Sequence, residues 1–283
     1  MQFSLGMTMR RNYASIPVLA LTALAFAPTL AGCNKIQARV ELKKGNAFYL
    51  DETYREALEQ FKKGLELDPS ATFAWRSVGL SAMALYRPGV ESAENKKFAD
   101  TAVDAFKKYL ASYPTDDKVE EYLVTTLINA QRYDEALARL KSEALTNSNK
   151  PGVQQAIITT LAKAGRLDEA FQWADSHGAK DATLYYSIAV ACWSKSYNDP
   201  TIDSATRARV VETGLAAAEK SVTLKPDYFE AVSYINLLYR EKAKLELDPV
   251  KQQEWVAKAE EWTKKAIAVR DAQKAREAAQ KKT

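Results

Sequence analysis

The stretch "YREALEQFKKGLELDP", residues 54–69, decides the fold. Within it Ala57 precedes Phe61 by four residues, and Pro69 follows Phe61 by eight. The same spacing returns in "TAVDAFKKYLASYP" (101–114) through Ala102, Phe106 and Pro114. It returns again, with smaller residues, in "GLAAAEKSVTLKP" (214–226) through Gly214, Ala218 and Pro226. Each residue type has a mechanical reason. The small residues let paired helices approach closely and the phenylalanines fill the space between one helix pair and the next. The prolines stop the helix, because a proline ring fixes φ and its nitrogen has no hydrogen to donate. Gly45, twelve residues before Ala57, supplies the small position of a preceding helix, and Trp75 with Gly79 opens the following unit.

This pattern resembles the tetratricopeptide repeat, a helix pair of 34 residues with Gly in the first helix, Ala then Phe in the second, and Pro at the end. The resemblance implies an all-α protein, a tetratricopeptide-type α-solenoid of about six helical hairpins, since one such unit cannot bury its apolar face alone and must stack on its neighbours. The units fall at 38–71, 72–116, 117–150, 151–181, 182–228 and 229–271. The third and fourth are degenerate but keep the length, through Tyr133 with Ala136 and Gly165 with Ala170. Three units are too long. The intervals from Gly79 to Ala102, from Ala189 to Gly214 and from Asn236 to Ala259 exceed the usual one by about a dozen residues. The excess contains "YRPGVESAEN", "SYNDPTIDSATR" and "YREKAKLELDPVKQQ", each with a proline expected to break or redirect the helix. Insertions in equivalent hairpins emerge on one side of a solenoid, so these three predict an insertion edge as a second candidate surface.

Composition agrees with helix throughout. Only 10 glycines and 9 prolines occur in 283 residues, while Ala, Leu, Lys and Glu dominate. At the front, "IPVLALTALAFAPT" is shorter than the about 20 apolar residues a membrane-spanning helix needs. It follows Arg10 and Arg11 and ends in the small residues Ala31 and Gly32, the layout of a secretory leader. The tetrad Leu30, Ala31, Gly32, Cys33 resembles the lipobox of bacterial lipoproteins, and the resemblance implies cleavage of residues 1–32 and lipidation of Cys33. The alternative is a plain signal peptide with an incidental cysteine. One acyl chain anchors only marginally, whereas two or three make attachment stable. Residues 33–37 are then the lipidated tether, 38–271 the repeat solenoid, and 272–283 a polar tail that extends the last helix before fraying. Loss of Arg10 and Arg11 with the leader lowers the formal charge from +4 to +2, too small an excess to imply a nucleic-acid partner. With Cys33 lipidated, Cys192 has no disulfide partner.

A closer resemblance runs along most of the mature chain. "LYRPGVESAENKKFADTAVDAFKKYL", "LYYSIAVACWSKSYNDP" and "KPDYFEAVSYINLLYREKA", followed by "WVAKAEEWTKKA", are similar to the tetratricopeptide lipoproteins of acidobacterial genomes, including the odd insertions. What this implies is an envelope lipoprotein with a binding solenoid, with no activity to carry over.

The sequence offers little for catalysis. The one histidine, His177, stands beside Gly178 at the expected end of a helix, where an imidazole caps carbonyls. No second histidine, no cysteines at metal spacing and no Gly-rich phosphate loop accompany it, so neither an enzyme nor a metal or cofactor is expected. Cys192, in an apolar helix, reads as a small buried hydrophobe. Trp255 and Trp262 share a helix face and read as packing, with docking of a partner as the alternative. Glu59 with Lys63 and Glu260 with Lys264 have the spacing of exposed helical ion pairs.

Groove-facing positions of the first helices select Asn46, Tyr49, Phe73, Arg76 and Lys118 as partner-binding residues. Asn46 and Lys118 fit the carboxylate clamp of some tetratricopeptide relatives, but Leu42, Ser77 and Tyr122 occupy its other places. What remains is a mixed aromatic and polar groove for an extended or helical segment, with ordinary surface as the alternative. The expected function is a non-enzymatic scaffold, lipid-anchored in the cell envelope, binding other envelope proteins on the groove or the insertion edge. Alternatives are an assembly lipoprotein for outer-membrane barrels or type IV pili, or a lipoprotein that binds cell-wall glycan or regulates an enzyme. Asn34, in place of Asp after the cysteine, favours the periplasmic face of the outer membrane by resemblance to the lipoprotein sorting rule, with the inner membrane as the other place.

Overall fold

The computed structural model describes residues 27–146 and 152–280, with side chains from Cys33 onward. Most of the leader, and the side chains of Leu30 and Ala31, lie outside the described residues. Among the described residues there are twelve α-helices and no strand. They are α1 (Ala27–Leu50), α2 (Tyr54–Leu67), α3 (Ala74–Leu85), α4 (Ala93–Ser112), α5 (Asp117–Asn129), α6 (Tyr133–Thr146), α7 (Val153–Lys163), α8 (Leu167–Ser176), α9 (Ala182–Asn198), α10 (Ser204–Leu224), α11 (Phe229–Leu245) and α12 (Pro249–Gln280). Consecutive helices form the six hairpins that the repeat spacing predicts. Residues 33–37, expected as the tether, lie within α1. The chain packs as two compact units, one ending at Leu123 and one beginning at Val124 within α5.

In the first unit α1 packs on α2, α2 on α3 and α3 on α4. Its core is Ala57, Phe61, Leu65, Val78, Ala82, Ala102 and Phe106, all buried. Gly45 is where the fold requires glycine: a Cβ there would stand 2.7 Å from the Phe61 ring, and one at Gly79 would collide with the Phe106 ring. Each small first-helix position thus receives the aromatic ring of its own hairpin's second helix. Glu41 is 3% exposed between Lys44 (3.1 Å) and Lys63 (3.4 Å). The hydrogen bond from Lys44 leads in holding its carboxyl below the usual range, with Lys63 adding to it and burial opposing. Lys63 therefore pairs across the hairpin with Glu41, not with Glu59 along its own helix. Likewise Glu261 pairs with Lys265 at 2.9 Å, in place of the expected Glu260 with Lys264.

The second unit continues the same alternation from α6 to α12, with first helices also touching each other, α7 on α9 and α9 on α11. Ile157, Ile158, Leu161, Tyr185, Ile188, Cys192 and Leu238 fill its core. Trp262 packs against that core, and Trp255 stacks on Tyr239 at 6.0 Å with Lys242 Nζ 4.0 Å from the centre of the Trp255 ring, so both indoles do pack. The polar tail is helical to Gln280, where Gln273 Nε2 donates to the Asp227 carbonyl at 2.8 Å and Arg276 pairs with the Asp227 carboxylate at 3.0 Å.

Three hairpins turn in three residues: 51–53, 130–132 and 164–166. The middle residue of each has a left-handed backbone: Glu52 (φ 58°), Gln131 (φ 58°) and Gly165 (φ 74°). The three long hairpins connect through 86–92, 199–203 and 246–248, so most of their added length is helix. α4 has 20 residues, α10 has 21 and α12 has 32, against 14 in α2 and 10 in α8. Pro88 and Pro200 lie in connectors, but Pro249 is the first residue of α12, where its missing N–H is no loss.

Candidate functional site

The predicted partner-binding residues all fall in the first unit. Asn46 (α1), Arg76 (α3) and Lys118 (α5) are exposed, Tyr49 (α1) is half-buried, and Phe73, just before α3, is 58% exposed. The structure brings part of this set together and adds residues to it. Tyr49 meets Tyr54 edge to face at 5.2 Å. Burial leads in raising the Tyr49 hydroxyl's pKa, Tyr54 and Tyr122 add to it, and the Arg76 charge opposes it. Arg76 acts in the same way on Tyr109, whose hydroxyl is raised chiefly by burial and next by its hydrogen bond to Asp116.

Tyr109 donates to Asp116 Oδ2 at 2.9 Å and stacks on Tyr113 at 4.6 Å. Asp116 Oδ1 accepts from the Val119 backbone N–H at 3.1 Å, which caps the start of α5. That backbone bond leads in holding the Asp116 carboxyl below its usual range, with Tyr109 and Arg76 assisting. Tyr122 packs 6.0 Å from Phe106, which ties the surface to the core. Tyr49, Tyr109 and Asp116 all feel the Arg76 charge, and that guanidinium has no carboxylate at ion-pair distance among the described residues. Such a patch offers aromatic faces and free N–H donors, the chemistry of binding.

Three predicted residues stand apart. Lys118 is committed to Glu121 at 2.8 Å and lies 5.1 Å over the Tyr122 ring. Among the described residues no side-chain hydrogen bond or ring contact joins Asn46 or Phe73 to the patch. Tyr109 and Asp116 escaped the sequence reading because it drew only on first-helix positions, whereas they lie at the end of α4 and in the turn after it. Their seven-residue separation across Pro114 is the signal that could have found them.

The first insertion, 86–92, is not a free loop. Asn95, 7% exposed in α4, accepts from the Arg87 N–H (2.8 Å) and donates to the carbonyls of Arg87 (2.7 Å) and Val90 (2.8 Å). Ser92 caps α4 by accepting from the Asn95 N–H.

His177 ends α8, with Nδ1 2.9 Å from the Trp173 carbonyl and its ring stacked 3.8 Å from the Trp173 ring, a capping role. Cys192 is buried, and burial pushes its thiol up to about 12, so it is no nucleophile at neutral pH. Among the described residues no group of three or more His, Cys, Asp or Glu could hold a metal ion. No helix among them is long and apolar enough to cross a membrane.

No family model matches the chain, and no curated protein matches it. Among solved structures, YrrB, described as a TPR protein with an unusual peptide-binding site, is 22% identical over 68% of this chain and 88% of its own, with a TM-score of 0.39. A TPR repeats protein from Bacteroides fragilis NCTC 9343 is 14% identical over 73% of this chain and 98% of its own, with a TM-score of 0.43. MamA from Desulfovibrio magneticus RS-1 is 15% identical over 83% of this chain and 96% of its own, with a TM-score of 0.31. The fold rests on the chain's own hairpins. With Phe61 on Gly45, Phe106 on Gly79 and Leu238 against Gly214, it is an all-α protein of tetratricopeptide-type helix pairs.

Proposed function

We propose that this chain is a non-enzymatic scaffold of the bacterial cell envelope, lipid-anchored through Cys33 on the periplasmic face of the outer membrane. It takes segments of partner envelope proteins on the first-helix face of its N-terminal unit. The observation that carries this reading is Arg76, an exposed guanidinium without an ion pair among the described residues, set among Tyr49, Tyr109 and Asp116. A segment with an acidic or carbonyl-rich backbone edge satisfies the free donors, and its apolar side chains cover the rings. Aromatic and arginine anchors of this kind dominate binding energies. Cys33 is exposed on α1, which supports its availability to a modifying enzyme.

The test is capture of crosslinked partners from envelopes by the full lipidated protein. Replacing Tyr49, Phe73 and Arg76 by Ala is expected to abolish capture with the helical circular dichroism unchanged. The insertion edge is tested beside it by Arg87→Ala with Glu91→Ala, which leaves the Asn95 clamp in place. Loss of capture in that variant alone moves the binding surface to the connector. Intact-mass analysis of membrane-extracted protein checks the anchor separately, and an unmodified Cys33 overturns it.

A further inference from the structure

The second helices of the first two hairpins hold a cleft that no part of the scaffold reading uses. α2 contributes Arg55, Leu58, Glu59 and Lys62, and α4 contributes Glu94, Lys97, Phe98 and Thr101, around a volume of about 530 Å³. One end is closed: Arg55 Nη1 pairs with Glu94 Oε1 at 2.7 Å, and its guanidinium lies 5.2 Å from the centre of the Phe98 ring. Seven residues further along each helix, about 10 Å at 1.5 Å per residue, stand Lys62 and Thr101 at the other end, with Lys97 beside them.

Lys62 is half-buried there, and neither Lys62 nor Lys97 has a carboxylate at ion-pair distance among the described residues. Burial leads in lowering the Lys62 pKa, Lys97 adds to it, and Glu59, which lines the same cleft, and Glu66 oppose it. Half-buried Lys62 and exposed Lys97 thus line one space with Leu58 and Phe98. Bringing like charges together costs free energy unless a counter-charge sits between them.

We propose that this cleft binds a phosphate monoester with a small apolar substituent, the phosphate lying between Lys62 and Lys97 and the substituent on Leu58 and Phe98. A phosphate monoester carries about −1.5 to −2 at neutral pH, enough to answer both ammonium groups even though the exposed Glu59 carboxylate shares the cleft wall. Its terminal oxygens accept from both lysines and from the Thr101 hydroxyl. The site lies on second helices, so it stands whether or not the first-helix face binds a partner segment.

The probe is phenyl phosphate, titrated into the full chain by calorimetry. Saturable binding is expected, several-fold tighter than that of inorganic phosphate because the ring adds apolar contact. Lys62→Gln and Lys97→Gln should each weaken it about tenfold with unchanged circular dichroism. Equal binding by the wild type and the Lys62→Gln, Lys97→Gln double variant overturns the proposal, as does absence of saturation in the wild type. Vesicles containing phosphatidic acid separate the two sources of the ligand. Displacement of phenyl phosphate by them, and not by phosphatidylcholine vesicles, supports a lipid headgroup; lack of displacement after saturable binding supports a soluble ester.

Discussion

The short hairpins and the long hairpins turn by different physics. In the short ones the backbone does the work. Glu52, Gln131 and Gly165 take left-handed conformations, and the next residue's N–H reaches back five residues: Thr53 to Phe48, Arg132 to Leu127 and Arg166 to Leu161, at 2.8–2.9 Å. In the long ones side chains hold the chain. Asn95 clamps 86–92, as described. In 199–203, Asp199 Oδ1 accepts from the Thr201 N–H at 2.9 Å, Asp203 caps α10 through Thr206 at 2.7 Å, and Arg207 donates to the Asp199 carbonyl at 2.8 Å. In 246–248, Glu246 Oε1 accepts from the N–H groups of Leu247 (3.0 Å) and Asp248 (3.2 Å). Where the middle residue is left-handed, the backbone closes the turn without a side chain. The connectors that lack that conformation, 246–248 included although it too has three residues, are held by polar side chains.

If the two classes differ only in their turns, their packing should be alike. Phe61→Ala in a short hairpin and Phe106→Ala in a long one are each expected to cost about 3–5 kcal/mol, since both rings are buried against a glycine. Chemical denaturation measures both. A large inequality between them breaks the comparison at the core. The next effect sharpens it: Asn95→Ala leaves the Arg87 and Val90 backbone groups without their partner and should cost about 1–3 kcal/mol. No side-chain truncation within 51–53 or 130–132 should reach that cost.

Acid should separate the classes without any mutation. Asp199 is held at about 2, by the Thr201 hydroxyl first, then the Thr201 N–H and Lys195. Asp203 and Glu246 are also depressed, each chiefly by a backbone N–H, from Thr206 and from Asp248. A carboxyl whose folded pKa is depressed stabilises the fold above its unfolded pKa of about 4 and loses that contribution as pH falls through the folded value. Hydrogen exchange at 199–207 and 246–250 should therefore accelerate, relative to 51–54 and 130–133, as pH drops from about 4 towards 2, after correction for intrinsic rates. Equal protection in both sets of segments would contradict the carboxylate account of the long turns. The smallest effect lies in the short class. Gln131→Gly relieves a left-handed non-glycine residue and should raise stability by about 0.5–1 kcal/mol, part of the relief being offset by the freer unfolded chain. A loss of stability would show that the Gln131 side chain, and not the backbone, directs that turn.

The repeat was legible because its signals are local. Ala57, Phe61 and Pro69 are read within sixteen residues, and Gly45 lies close enough in sequence to be paired with them. His177 and Cys192 were legible for the same reason, one by its neighbour Gly178 and the other by its apolar run. The candidate binding patch was half legible. First-helix spacing selects Tyr49 and Arg76, but only tertiary packing brings the end of α4 against them and adds Tyr109 and Asp116. Lys63 shows the limit plainly: along its own helix it has Glu59 four residues away, yet it reaches Glu41 on α1.

By itself the sequence determined the helices, their pairing and the small-to-large contacts inside each hairpin, because these depend on spacings of 4, 8 and 12 residues that a helix converts directly into geometry. The tertiary structure alone decided that the long units lengthen their helices instead of extruding loops, that the chain packs as two units divided within α5, and which charges meet across hairpins. The physical reason is that these outcomes turn on single hydrogen bonds and ion pairs between residues remote in sequence. The Asn95 clamp, the Arg55 pair with Glu94 and the two lysines of the α2–α4 cleft have partners, or lack them, only once the helices are stacked.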